Sequence, residues 1–107
     1  MVKGCFKTKQ SDNNFTVKLK GDFDGYNINR IIGEIIMSES IHNKFFELDM
    51  SEVNTINMQA MAGLIITLKK LKESGRETKV TGLDGANLKL ASELGMHFIT
   101  QINKNEK

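Results

Sequence analysis

The chain has 107 residues, 39% of them hydrophobic and 26% charged, with a formal net charge of +2. That balance excludes an intrinsically disordered chain, and the length suits one domain of ordinary size. No apolar run approaches the roughly 18–20 residues needed to cross a bilayer, and the single Cys5 cannot close an intramolecular disulfide, so nothing points to an oxidising compartment.

Residues 2–9 alternate weakly and suit an edge strand. Asp12, Asn13 and Asn14 supply a turn. Phe15, Val17 and Leu19 then point one way and Thr16, Lys18 and Lys20 the other, the period of a half-buried strand. The two strands read as an N-terminal hairpin. Gly21-Asp22-Phe23-Asp24-Gly25 breaks it, and Asp24 is placed to cap a helix over about residues 26–39, where Ile28, Ile31, Ile32, Ile35 and Ile36 recur at helical spacing. Phe45 through Met50 reads as a central strand, expected to be buried on both faces.

The strongest helix follows Asn57, its natural cap. Met61, Leu64, Ile65, Leu68 and Leu71 form one stripe, and Gly75 stops it. Gly63, inside that helix, costs about 1 kcal/mol relative to alanine, which close helix–sheet contact would explain. Thr78, Val80 and Leu83 make another strand. Asp84 is expected to cap a third helix with Leu88, Ala91 and Leu94 inward, and Gly95 ends it. Met96 to Ile102 reads as a last strand, with residues 103–107 as a frayed tail. The order is β-β-α-β-α-β-α-β. Its alternation after the hairpin implies right-handed crossovers and a mostly parallel or mixed sheet, with room for up to three layers.

Charge is unevenly distributed. Residues 1–20 sum to +4, residues 21–68 to −5, residues 69–79 to +3 and the remainder to zero. With no Trp, one Tyr and an isoelectric point of 8.7, the chain lacks the clustered basic and aromatic surface of a nucleic-acid binder. The N-terminus enters an alternating pattern without a signal-peptide core, so the expected location is cytoplasmic.

Chemistry-bearing residues are sparse. His42 and His97 have no third ligand at metal spacing, and Cys5 has no neighbouring base and reads as a small buried apolar residue. Asp22 and Asp24 fit a carboxylate pair or metal clamp by spacing, and equally a turn residue followed by a helix cap. No phosphate loop, nucleophile elbow or dinucleotide fingerprint is present. No catalytic constellation can be assembled, so neither an enzyme nor a cofactor or metal is expected.

The segment Leu48-Asp49-Met50-Ser51-Glu52-Val53-Asn54-Thr55-Ile56-Asn57-Met58-Gln59-Ala60-Met61-Ala62-Gly63-Leu64 resembles the central signature of the STAS domain of bacterial anti-sigma factor antagonists and sulphate transporters. There a buried strand ends in Leu-Asp-Leu-Ser, and Asp-Ser-Ser-Gly opens a helix. Leu19-Lys20-Gly21-Asp22-Phe23-Asp24 is similar to that family's entry to its first helix, and Leu88 through Gly95-Met96 to its later helix. The resemblance spans about residues 13–102 and implies a single STAS-like domain, a mixed β-sheet with helices packed against it.

In that family the first serine of the signature is phosphorylated by a partner kinase. Matched by position, Asn57 replaces the aspartate, Met58 the phosphoacceptor, Gln59 the second serine and Ala60 the glycine. A methionine cannot accept phosphate. Thr55 and Ser51 are the nearby hydroxyls that could substitute. The resemblance implies a non-enzymatic protein-interaction module, a monomer or weak dimer. Its partner would be an anti-sigma kinase-like protein meeting Asp24, Tyr26, Asn57, Met58, Gln59 and Met61. Two alternatives stay open: an accessory subunit of a lipid-transport ABC ATPase, and a ligand-sensing domain with a pocket near the helix start. No nucleic acid or membrane insertion is expected.

Overall fold

The computed structural model describes residues 4–37 and 44–104. Five strands form one sheet in the order β1 (Cys5–Gln10), β2 (Asn14–Phe23), β3 (Phe45–Ile56), β4 (Glu77–Leu83) and β5 (Gln101–Lys104). β1 and β2 are an antiparallel hairpin, and β2 through β5 run parallel. Between them lie α1 (Gly25–Met37), α2 (Met58–Glu73) and α3 (Gly85–Glu93). Element order and mixed sheet are those expected for a STAS-like α/β fold.

Because β2 to β5 sit in chain order, right-handed crossovers carry every helix to the same face. The strands record this. Phe15, Val17, Leu19 and Phe23 of β2 are buried, while Thr16, Lys18 and Asp22 are only half-buried and Lys20 is exposed. β3 was expected to be covered on both faces, and it is not. Phe46, Leu48 and Met50 are buried, Glu47 and Asp49 are half-buried on the opposite face, and Phe45 is 37% exposed. Among the described residues the fold therefore has two layers, not three, and one sheet face carries no helix. Across the covered face Val17, Leu48, Val80 and Ile102 stand in register, and the Phe15 and Phe46 rings stack at 6.1 Å.

α2 lies as its stripe predicts, with Met61, Leu64, Leu68 and Leu71 buried and Ile65 packed against the core. Gly63 does not meet the sheet. A Cβ there would lie 3.4 Å from Ile32 Cδ1 and 3.8 Å from Asn29 Oδ1, ordinary contact distances, so position 63 faces α1 and has room for a methyl group. Gly75, at φ +94°, reverses the chain after α2.

Three other expectations change. Asp84 precedes α3 but makes no side-chain cap bond. The segment after Gly95 is not one strand: Met96–Phe98 is a turn of 3-10 helix with Met96 buried, and β5 begins only at Gln101, so Asn103 and Lys104 belong to the sheet and not to a frayed tail. Cys5 is exposed, because β1 edges the sheet and its register places Cys5 opposite Lys20 on the open face. His42, the end of the first helix beyond Met37 and residues 105–107 lie outside the described residues.

Candidate functional site

The parallel strands β2 and β3 end side by side, and each leads within two residues into a helix. This places the N-termini of α1 and α2 together at one end of the sheet. The backbone N–H of Asn57 donates to Phe23 O at 3.1 Å, tying the second turn to the first. Gly25 lies against the side chain of Gln59, where a Cβ would come within 3.0 Å of Gln59 Cβ.

Both caps are built. Asp24 Oδ1 accepts from the N–H groups of Tyr26 and Asn27, each at 2.9 Å, and Asn27 Oδ1 accepts from Asp24 N–H at 2.8 Å. This reciprocal arrangement satisfies orphan donors at the start of α1. Asn57 takes extended geometry (φ −85°, ψ 173°), and its Oδ1 accepts from Ala60 N–H at 2.9 Å. The first intrahelical bond of α2 runs from Met61 N–H to Asn57 O, so the amides of Met58 and Gln59 have no intrahelical acceptor.

A second network braces the turn from below. Asp22 Oδ1 accepts from Thr55 Oγ1 at 2.8 Å and Asn54 Nδ2 at 3.0 Å, while Asn27 Nδ2 donates to Asp22 O at 2.9 Å. The β2–β3 register shifts between Lys18 and Lys20 and again between Gly21 and Asp22, each time with one extra residue on β3. These bulges re-aim Asn54 and Thr55 at Asp22. Asp22 and Asp24 thus have separate roles. Asp24 is the cap that the turn-and-cap reading expects, whereas Asp22 is not a turn residue but lies in β2, paired with Thr55, as a brace. The brace itself could not be read from the sequence. Asn27 could have been, from its position three residues after Asp24.

Of the residues expected at a partner surface, Asp24, Tyr26, Asn57, Met58 and Gln59 are exposed and adjacent, with Tyr26 at 78% and Met58 at 61%. Met61 is fully buried beneath them and contributes to the core, because its place on the apolar stripe of α2 turns it inward. The substitute hydroxyls differ. Thr55 is held by Asp22, whereas Ser51 is exposed with its backbone N–H donating to Asp49 Oδ1 at 2.9 Å. Among the described residues no three His, Cys, Asp or Glu side chains converge as metal ligands, and no helix is long and apolar enough to cross a membrane. His97 is exposed and tilted against Phe98, with ring centroids 4.2 Å apart. Those two residues border a cleft of about 560 Å³ with Lys72 and Arg76, away from both helix starts. Burial there pushes the Arg76 guanidinium below the ordinary arginine value.

The family model for the STAS domain matches residues 6–107. The chain belongs to the STAS domain family. STAS proteins of known structure share the fold. A candidate anti-sigma factor antagonist of Thermotoga maritima superposes with a TM-score of 0.79 at 15% identity, covering 92% of this chain and 85% of its own. An anti-sigma factor antagonist of Mycobacterium paratuberculosis gives 0.78 at 15% identity, with coverage of 94% and 86%. The Bacillus cell-fate determinant SpoIIAA in its phosphorylated form gives 0.71 at 11% identity, with coverage of 92% and 90%. No curated protein matches the sequence.

Proposed function

We infer that this chain acts as a single STAS unit, a non-enzymatic docking module of bacterial regulation working in the cytoplasm, and that it holds its partner without a phosphoswitch at the usual position. The observation that carries the reading is Met58. It is the first residue of α2, 61% exposed, at the position where the family signature places its phosphoacceptor serine. In a switched module a phosphate at a helix N-terminus adds nearly two negative charges and new acceptor oxygens. A thioether has no hydroxyl to receive it.

What the site offers instead is contact area. Tyr26 and Met58 are of the types enriched at the centres of interfaces, and Met adapts its shape to the surface it meets. Asp24, Asn57 and Gln59 supply a polar rim. The partner that fits is a protein such as an anti-sigma kinase, with an apolar knob and hydrogen-bonding groups for the free amides of α2.

The test is capture of partners from cells of the source organism by the wild-type chain and by Met58→Asp. Aspartate there imitates part of a phosphate charge without unfolding an exposed first turn. Capture of the main partner falls if the helix start is the docking surface. Unaltered capture would put the interface elsewhere.

A further inference from the structure

β1 is an edge strand whose outer backbone N–H and C=O groups face no other strand among the described residues. Its six residues pair with β2 in unbroken register, without bulge or proline. Cys5, Lys7 and Lys9 stand on the open face of the sheet, with Lys7 directly opposite Lys18 and Cys5 opposite Lys20. Only Lys18 of this group has an ion-pair partner among the described residues, Glu52 at 3.5 Å. Lys7 opposite Lys18 is a like-charge pair, which disfavours the pairing, and with Glu52 engaged by Lys18, Lys7 and Lys9 leave an excess of positive charge along the unpaired edge.

Lysines on an edge commonly discourage strand-to-strand aggregation. That same pattern is selective. A second copy adding its own β1 antiparallel across a twofold axis normal to the sheet would set Lys7 against Lys7 or Lys9 of the other copy in the registers that overlap most of the strand. An extended segment with acidic residues on the open face would meet them with opposite charge instead. On the covered face of β1, Phe6 is only partly buried and Thr8 and Gln10 are exposed, so an apolar residue between the acidic ones would lie beside Phe6. A recess of about 220 Å³ lined by Cys5, Lys7, Lys18, Lys20 and Glu52 lies on the open face next to this edge.

We propose that β1 is a second docking edge, which accepts an extended acidic segment of a partner protein as a sixth strand, with acidic and apolar residues alternating. Backbone hydrogen bonds supply the attachment and the two lysines fix register and charge, the usual division of labour in strand addition. The proposal does not depend on what binds at the helix starts.

The test uses the whole chain and three synthetic peptides: acetyl-Thr-Glu-Val-Glu-Val-Glu-Thr-amide, a block-ordered peptide of the same composition, and an alternating version with lysine for glutamate. Binding is followed by backbone amide shifts and hydrogen exchange. The alternating acidic peptide shifts and protects amides of residues 5–10, and the block peptide does so much more weakly. The double variant Lys7→Glu, Lys9→Glu binds the acidic peptide about tenfold less well, since two cross-strand pairs change from opposite to like charge, and it accepts the lysine peptide. Its fold is protected because a glutamate at position 7 faces Lys18. Equal binding of block and alternating peptides would reduce the edge to an unstructured charge attraction and overturn the proposal. So would shifts confined to the helix starts, or sedimentation showing that β1 pairs with a second copy.

Discussion

Replacing Asn57 tests the link between sequence and site in one residue. Its Oδ1 is the acceptor for the Ala60 N–H at 2.9 Å, and Ala60 is fully buried. Asn57→Ala removes that acceptor, and water reaches the buried amide poorly. Loss of such a cap costs roughly 0.5–2 kcal/mol, and burial of the abandoned donor places this one in the upper half, about 1–2 kcal/mol. For a domain of this size that lowers Tm by about 5–10 °C. Asn57→Asp keeps an oxygen in place and adds a negative charge at the positive end of α2, an interaction that stabilises by about 0.3–1 kcal/mol. Thermal unfolding followed by circular dichroism at low salt should rank Asp at or above wild type and Ala well below. An alanine variant melting within a degree of wild type would refute the cap, and an aspartate variant melting below wild type would refute the electrostatic argument.

Gly82 sits at φ +84°, and a Cβ there would reach Ser51 N and lie 2.6 Å from Ser51 Cα. Gly82→Ala combines a left-handed cost of about 1–2 kcal/mol with overpacking of about 1–3 kcal/mol, so the urea midpoint should fall sharply at unchanged slope; a wild-type midpoint would show that β3 and β4 can part there. Gly63→Ala goes the other way, because the added methyl meets the Ile32 side-chain tip at an ordinary 3.4 Å and the helix gains up to about 1 kcal/mol in propensity. A lower midpoint for that variant would mean that α1 and α2 pack more tightly than the structure indicates.

Much of the scaffold was legible because its causes are local. The alternation of Phe15, Val17 and Leu19 gave β2, the stripe from Met61 to Leu71 gave α2, and Asp24 and Asn57 marked two helix starts. Burial on both faces of β3 was a wrong expectation because whether a second layer exists depends on the hand and order of the crossovers, and the run Phe45 to Met50 does not contain that information. Cys5 misled for a different reason. Residues 2–9 read as an edge strand, but the face on which Cys5 stands is set by the hairpin register that puts it opposite Lys20, and weak alternation does not carry that register. At the site, the neighbourhood of Tyr26 and Met58 followed from the family resemblance, and Met61 was separated from it only by the rotation of α2. The brace from Thr55 and Asn54 to Asp22 was illegible because it needs two β-bulges, and a bulge displaces side chains without leaving a residue pattern of its own.

The central claim is that the start of α2 docks a partner with no covalent toggle. The most direct measurement is the intact mass of the chain after incubation with ATP and a kinase recovered with it from its own cells, with Met58→Ser treated alongside. The account predicts an unchanged mass for wild type and one added phosphate for the serine variant. A phosphate on the wild-type chain, mapped to Thr55 or Ser51, would contradict it.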